Sequence, residues 1–201
     1  MKALFTGIAL GLGLVVILVA TGSGGNHKDK TVRAEAWAKD VCQSVGTWEG
    51  ALKDIRKELQ KNSYGARNSD GSTGDLVEDT VGVRVAVDRA YIATRQMLRR
   101  GIQRAGIPDA PQGAQASAAL RVWAAQTEQS LRAAHAHLKQ DPPNSSIASD
   151  AFEALAVPAT ALAKSVAVGR ATVDAIKASD PALNDAFNRS SACRRLERRT
   201  A

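Results

Sequence analysis

LVEDTVGVRVAVDRAYIATRQMLRRGI, residues 76–102, is the stretch on which the fold class turns. Its middle, VGVRVAV at 81–87, alternates as a β-strand would, and a strand there would require a sheet to pair with. The longer register says otherwise. Leu76, Thr80, Val83, Val87, Ala90, Thr94, Leu98 and Ile102 recur every three or four residues across 27 positions, whereas strands rarely exceed about ten residues. The spacing predicts one continuous helix with a single buried stripe. Gly101, Gly106 and Pro108 stop it.

The same period flanks it on both sides. Upstream, Trp37, Val41, Val45, Trp48, Leu52, Ile55 and Leu59 mark a helix that begins near Thr31 and fades by Lys61, before a loop at 62–75, NSYGARNSDGSTGD. Downstream, AGIPDAPQG (105–113) is a connection, and Ala116, Leu120, Trp123, Thr127, Leu131, Ala134 and Leu138 predict a third helix ended by DPPN at 141–144. A fourth starts around Ser145 and carries Phe152, Leu155, Ala159, Leu162, Val166, Val173 and Ile176. Pro158 lies within it and predicts a kink or a restart, because proline removes a backbone donor and clashes with the preceding turn. In DPALNDAF (180–187), Asp180 as N-cap and Pro181 at the first helical position open a short fifth helix, followed by the tail SSACRRLERRTA. Four long helices with short connections, each apolar on one face, make an all-α, antiparallel four-helix up-down bundle with a short C-terminal helix, one domain over residues 32–201. Three tryptophans, two tyrosines and three phenylalanines in 201 residues are too few aromatics to favour a sandwich or barrel.

MKALFTGIALGLGLVVILVA opens the chain: one lysine, then 18 residues, Ala3–Ala20, without a charge, then TGSGGN. This reads as a signal peptide or signal anchor over 1–25, with a linker at 26–31. The apolar run is longer than a typical cleavable core and close to the shortest membrane span. Removal within Ala20–Gly24 and retention as an anchor are therefore both open. LVATG (18–22) matches a bacterial lipobox except that Thr21 stands where the lipid-bearing cysteine would, and a hydroxyl cannot form the thioether. Lys28, Lys30 and Arg33 follow the run and only Lys2 precedes it, which by the positive-inside rule argues against export. The cysteines argue for it.

Those cysteines are Cys42 and Cys193, near opposite ends of the periodic region. An even number of antiparallel helices returns the chain to the end where it began, which sets the close of helix four beside the start of helix one. Cys42 lies about ten residues into helix one, roughly 15 Å along its axis, and the 14 residues from Ser179 to Cys193 span that distance. Pairing of Cys42 with Cys193 is the expectation, stapling the bundle with one disulfide. Closing about 150 residues contributes on the order of 4–5 kcal/mol in the chain-entropy model, and such bridges belong to oxidising compartments. The alternative is two unrelated buried thiols.

The segments WAKDVCQSVGTWEGAL (37–52), AGIPDAPQGAQASAAL (105–120) and DPALNDAFNRSSACRRL (180–196) together resemble a group of small, largely uncharacterised secreted proteins and lipoproteins of actinobacteria. The resemblance covers nearly all of the chain after the leader. It implies an extracytoplasmic helical domain with a cysteine near each end, often tethered by lipid, and brings no catalytic residues. Thr21 departs from that pattern at the tether.

No catalytic, cofactor or metal set is legible. The Glu-x-x-His pairs that bundles use to hold metals do not occur. His135 and His137 sit two apart on helix three and point about 160° away from each other, so they read as surface histidines; His27 precedes the helices. DGSTGD (70–75) lacks the alternating ligands and terminal glutamate of a calcium loop, and neither a phosphate-cradling glycine loop nor a G-x-S-x-G elbow is present. Trp37, Trp48 and Trp123 fall on the stripes and read as core.

Charge is the feature with a functional slant. The chain carries a formal +7, of which Lys2 is the only charge in the leader, leaving +6 beyond it. Arginines cluster in YIATRQMLRRGIQR (91–104) and in RRLERR, where Arg194, Arg195, Arg198 and Arg199 form a candidate basic contact surface. A positive surface attracts polyanions without choosing among them. The partners this favours outside a cell are anionic lipid headgroups, acidic wall polymers or another envelope protein, with the membrane itself reached through residues 3–20 if they are retained. Nucleic acid is disfavoured, because no helix-turn-helix, RRM or zinc pattern accompanies the charge. The resulting expectation is a non-catalytic extracytoplasmic binding module without a cofactor. Two rivals are a small envelope enzyme, which needs perturbed carboxylates or a histidine beside a serine in a deep pocket, and a membrane-anchored cytoplasmic bundle that binds nucleic acid and keeps its thiols free.

Overall fold

The computed structural model describes residues 30–66, 73–140 and 147–200, and the stretch at 76–102 is helical in it. The expected leader, most of the linker, and the loops at 67–72 and 141–146 lie outside the described residues. The long elements are α1 (Ala34–Ala66), α2 (Thr73–Ala93), α4 (Gly113–Gln140) and α5 (Ile147–Ser179), with α3 (Arg100–Ala105), α6 (Pro181–Arg189) and α7 (Ser191–Thr200) between and after them. The 62–75 loop is shorter than expected, because α1 runs on to Ala66 and α2 takes in Thr73. Pro158 causes no restart, as α5 runs without a break across it. The C-terminal tail is not a tail but the helix α7.

The second helix is not one unbroken α-helix. A single π turn, Thr94–Arg99, joins α2 to α3. The cause is visible in the register: Ala90, Thr94, Leu98 and Ile102 are all buried although they are separated by three successive steps of four, each of which drifts about 40° around an α-helix. A π turn absorbs the extra residue and keeps the four on the core side. Thr94 anchors the turn, its hydroxyl donating to the Ala90 carbonyl at 2.8 Å and accepting the Trp48 indole N–H at 2.8 Å.

The helix expected to begin near Thr31 begins three residues later. Thr31–Arg33 is instead a strand, β1, paired in parallel with β2 (Ile107–Asp109), with Thr31 opposite Ile107 and Arg33 opposite Asp109. β-Branched Thr31, Val32 and Ile107 favour the extended backbone. Gly106 makes the approach possible: its φ is +80°, and a Cβ there would overlap the Lys30 carbonyl oxygen, which accepts the Ile107 N–H at 3.1 Å.

The helices pack in the order α1 on α2, α2 on α4, α4 on α5, in an antiparallel bundle. Its closure differs in detail from the expectation that the close of helix four lies beside the start of helix one. α6 fills the space between α5 and α1, and α7 then runs up α1. Trp37 of α1 meets Phe187 of α6 edge to face at 5.7 Å, and Trp48 meets Trp123 of α4 the same way at 5.9 Å. All three tryptophans are core residues. The Trp123 indole donates to the Ser165 carbonyl of α5 at 2.8 Å and lies where a Cβ on Gly169 would be.

Candidate basic contact surface

Asp180 shows how the C-terminal helices are placed. One carboxylate oxygen caps α6 by accepting the Ala182 and Leu183 N–H groups, as the sequence predicts, and the other accepts the Gln112 N–H ahead of α4 at 2.9 Å. The Gln112 amide holds the Asp180 carboxyl below the usual carboxylate range; burial opposes this, and the Ala182 and Leu183 amides add to the lowering. A single buried acid therefore ties the end of α5 to the turn before α4.

From there the chain reaches Cys193, which is bonded to Cys42 with 5.0 Å between Cα atoms, and both sulfurs are buried. The expected staple is present, and among the described residues there is no free cysteine. Beyond it α7 presents one face inward, with Ala192 and Cys193 buried and Leu196 resting over Gly46. The opposite face carries Ser191, Arg194, Arg195 and Arg198, which i,i+3 and i,i+4 spacing makes neighbours, and all of them are exposed. The one acid of α7, Glu197, turns to Lys177 of α5 at 3.3 Å. No described ion pair engages Arg194, Arg195 or Arg198, so their charge faces solvent. Arg199 belongs to α7, with its side chain outside the described residues.

At the foot of this face is an open cavity of about 340 Å³ lined by Arg33 of β1, Glu35, Ala36 and Lys39 of α1, and Arg189, Ser190 and Ser191. Sequence spacing did not foretell it, because its three cations come from three separate elements. A second cavity of about 370 Å³ lies beside the π turn, between α1 and α3, lined by Asp40, Gln43, Ser44, Thr47, Gln96, Met97 and Arg104 among others.

A polar seam between α2 and α4 was also missed. Glu128 is buried, yet its carboxylate meets Arg99 from the π turn and Arg132 one turn on. His135 is not the plain surface residue expected: it is half-buried, stacked on Tyr91 with centroids 6.2 Å apart, and 3.5 Å from Asp88. The only hint in the sequence was the i,i+4 pair Glu128 and Arg132. The side chain of His137, like His27 and the 70–72 part of the acidic loop, lies outside the described residues. Neither cavity contains a histidine. Among the described residues, no group of three or more His, Cys, Asp or Glu could hold a metal ion, and no helix is long and apolar enough to cross a membrane.

The fold and surface thus define a disulfide-stapled helical bundle that ends in an arginine-faced helix. No family model, curated protein or solved structure matches the chain.

Proposed function

We propose that this domain is a non-catalytic extracytoplasmic module that docks on an anionic membrane surface through the arginine face of α7. The observation that carries the reading is the division of charge on α7: its acid is drawn off to Lys177 while Arg194, Arg195 and Arg198 are exposed together. The disulfide fits an oxidising, extracytoplasmic setting. Chain direction supports a membrane rather than a wall polymer. The described chain enters at Lys30, whose carbonyl begins the β1–β2 ladder, and Arg33 lines the cavity at the foot of α7. Residues 21–29 separate the apolar run at 3–20 from that point, a span of at most about 30 Å. A retained anchor would hold the basic end against the bilayer it emerges from.

The test is sedimentation of the full chain with neutral and with anionic vesicles, read as the ratio between them so that any contribution of residues 3–20 cancels. Each cation near an anionic surface contributes about 1 kcal/mol, so replacing Arg194, Arg195 and Arg198 together with glutamine should reduce that ratio roughly a hundredfold at moderate salt. Equal partitioning of the parent and the triple variant would refute the reading.

A further inference from the structure

We infer that the cavity between Arg33, Lys39 and Arg189 is a site for one phosphate group, and that its ligand is the phosphate of a glycerophospholipid headgroup. The inference rests on the membrane reading above and adds a specific pocket to a diffuse charge. The three cations reach the cavity from β1, α1 and α6, of which β1 leads directly into α1 and α6 packs against α1. Ser190 lines the cavity from the turn between α6 and α7. It is 3% exposed, and its oxygen caps α7 by accepting the Cys193 N–H at 3.4 Å. A cavity that gathers two guanidinium groups and an ammonium group beside the N-terminus of a ten-residue helix is matched by a phosphate.

Two acids temper the site without cancelling it. Asp185 lies 3.6 Å from Arg189, with both side chains well exposed, and a pair of that kind holds its arginine weakly. Glu35 lines the cavity itself, and its like charge opposes an anion. About 340 Å³ is room for a phosphate with a glycerol-sized substituent, at the small end of ligand sites. Ser191 lines the cavity one turn from Arg194 and Arg195, so a headgroup seated in it is close to the arginine face.

The experiment has two arms, both on the full disulfide-bonded chain. In the first, glycerol 3-phosphate and inorganic phosphate are titrated in a neutral glycoside detergent while backbone amide resonances are followed. Shifts centred on Arg33, Lys39, Ser190 and Ser191 are expected, weakened roughly tenfold by Lys39→Gln or Arg33→Gln and strengthened by Glu35→Gln. In the second, digalactolipid vesicles are given equal negative charge by phosphatidylglycerol or by oleate. The site predicts a preference for phosphatidylglycerol that Lys39→Gln abolishes, while the α7 arginine variants weaken both equally. Equal binding to both vesicles, unaffected by Lys39→Gln, overturns the pocket and leaves the α7 reading standing. Pocket shifts with soluble phosphate but no vesicle binding would uphold the site, sink the membrane reading, and assign the pocket to a free phosphomonoester. The Glu35→Gln variant guards against misfolding, since it must bind more tightly than the parent.

Discussion

Replacing Cys42 and Cys193 together with alanine, or reducing the bridge, should lower the melting temperature of the protein by about 10–20 °C. The bridge closes a segment of 151 residues, and the loss of loop-closure entropy it imposes on the unfolded chain is worth about 5 kcal/mol. For a chain of this length each kcal/mol moves the midpoint by about 2–4 °C. The native side of the comparison should change little at first, because Ala192 and Leu196 still pack α7 on α1 and the Lys177–Glu197 pair still ties it to α5. Circular dichroism melts of the oxidised, reduced and double-alanine proteins make the measurement. Amide exchange in α7 provides a second reading, since α7 should lose protection before the rest of the bundle. A difference below about 3 °C would refute the reasoning, showing either that the unfolded chain stays compact enough to make the loop nearly free or that packing alone fixes α7.

Three further outcomes follow from particular contacts. Gly169→Val should destabilise by about 1–3 kcal/mol, because its side chain must enter the volume of the Trp123 indole; urea titration followed by tryptophan fluorescence reports it, and an unchanged midpoint would contradict the packing. The lowered pKa of Asp180 makes it a source of stability that is present above the ordinary carboxylate pKa and lost as pH falls through the lower folded value. Melts of parent and Asp180→Asn should therefore differ at neutral pH and converge in strong acid, and parallel curves would count against the capping account. Around Glu128 the two sides should be unequal: Arg99→Ala costs about 1–3 kcal/mol by leaving a buried carboxylate short of a donor, whereas Glu128→Leu costs less. The asymmetry arises because the arginine side chains are 41% and 63% exposed and can return to water. A larger loss for Glu128→Leu would reverse this.

What the sequence made legible was whatever followed from local periodicity. The long stripes located α1, α2, α4 and α5, and Asp180 with Pro181 announced α6, since both signals lie within a few residues of each other. Chain parity paired Cys42 with Cys193, although the intermediate step was incomplete: α6, not α5, lies against the start of α1. The π turn was present as a run of fourfold steps at Ala90, Thr94, Leu98 and Ile102, which reads as ordinary helical spacing until burial shows that all four face inward. The β1–β2 ladder joins residues 76 positions apart in strands of three, too short for any alternation to register. The candidate surface divides in the same way. Arg194, Arg195 and Arg198 were visible because they share one helix face, while Arg33, Lys39 and Arg189 were not, because only tertiary structure gathers them.

The staple also decides how the domain would carry tension. With a pull applied at its two ends, as an anchored N-terminus and a docked C-terminal helix would apply it, the load runs from Lys30 along the first turns of α1 to Cys42, crosses the sulfurs, and leaves through α7. The 151-residue loop between the cysteines, with α2, α4 and α5, lies outside the force path. Oxidised, the chain should therefore yield only its outer ends under stretching. Reduced, it should release roughly 50 nm of additional contour length, at about 3.6 Å per residue. The bridge makes the domain a short covalent strut.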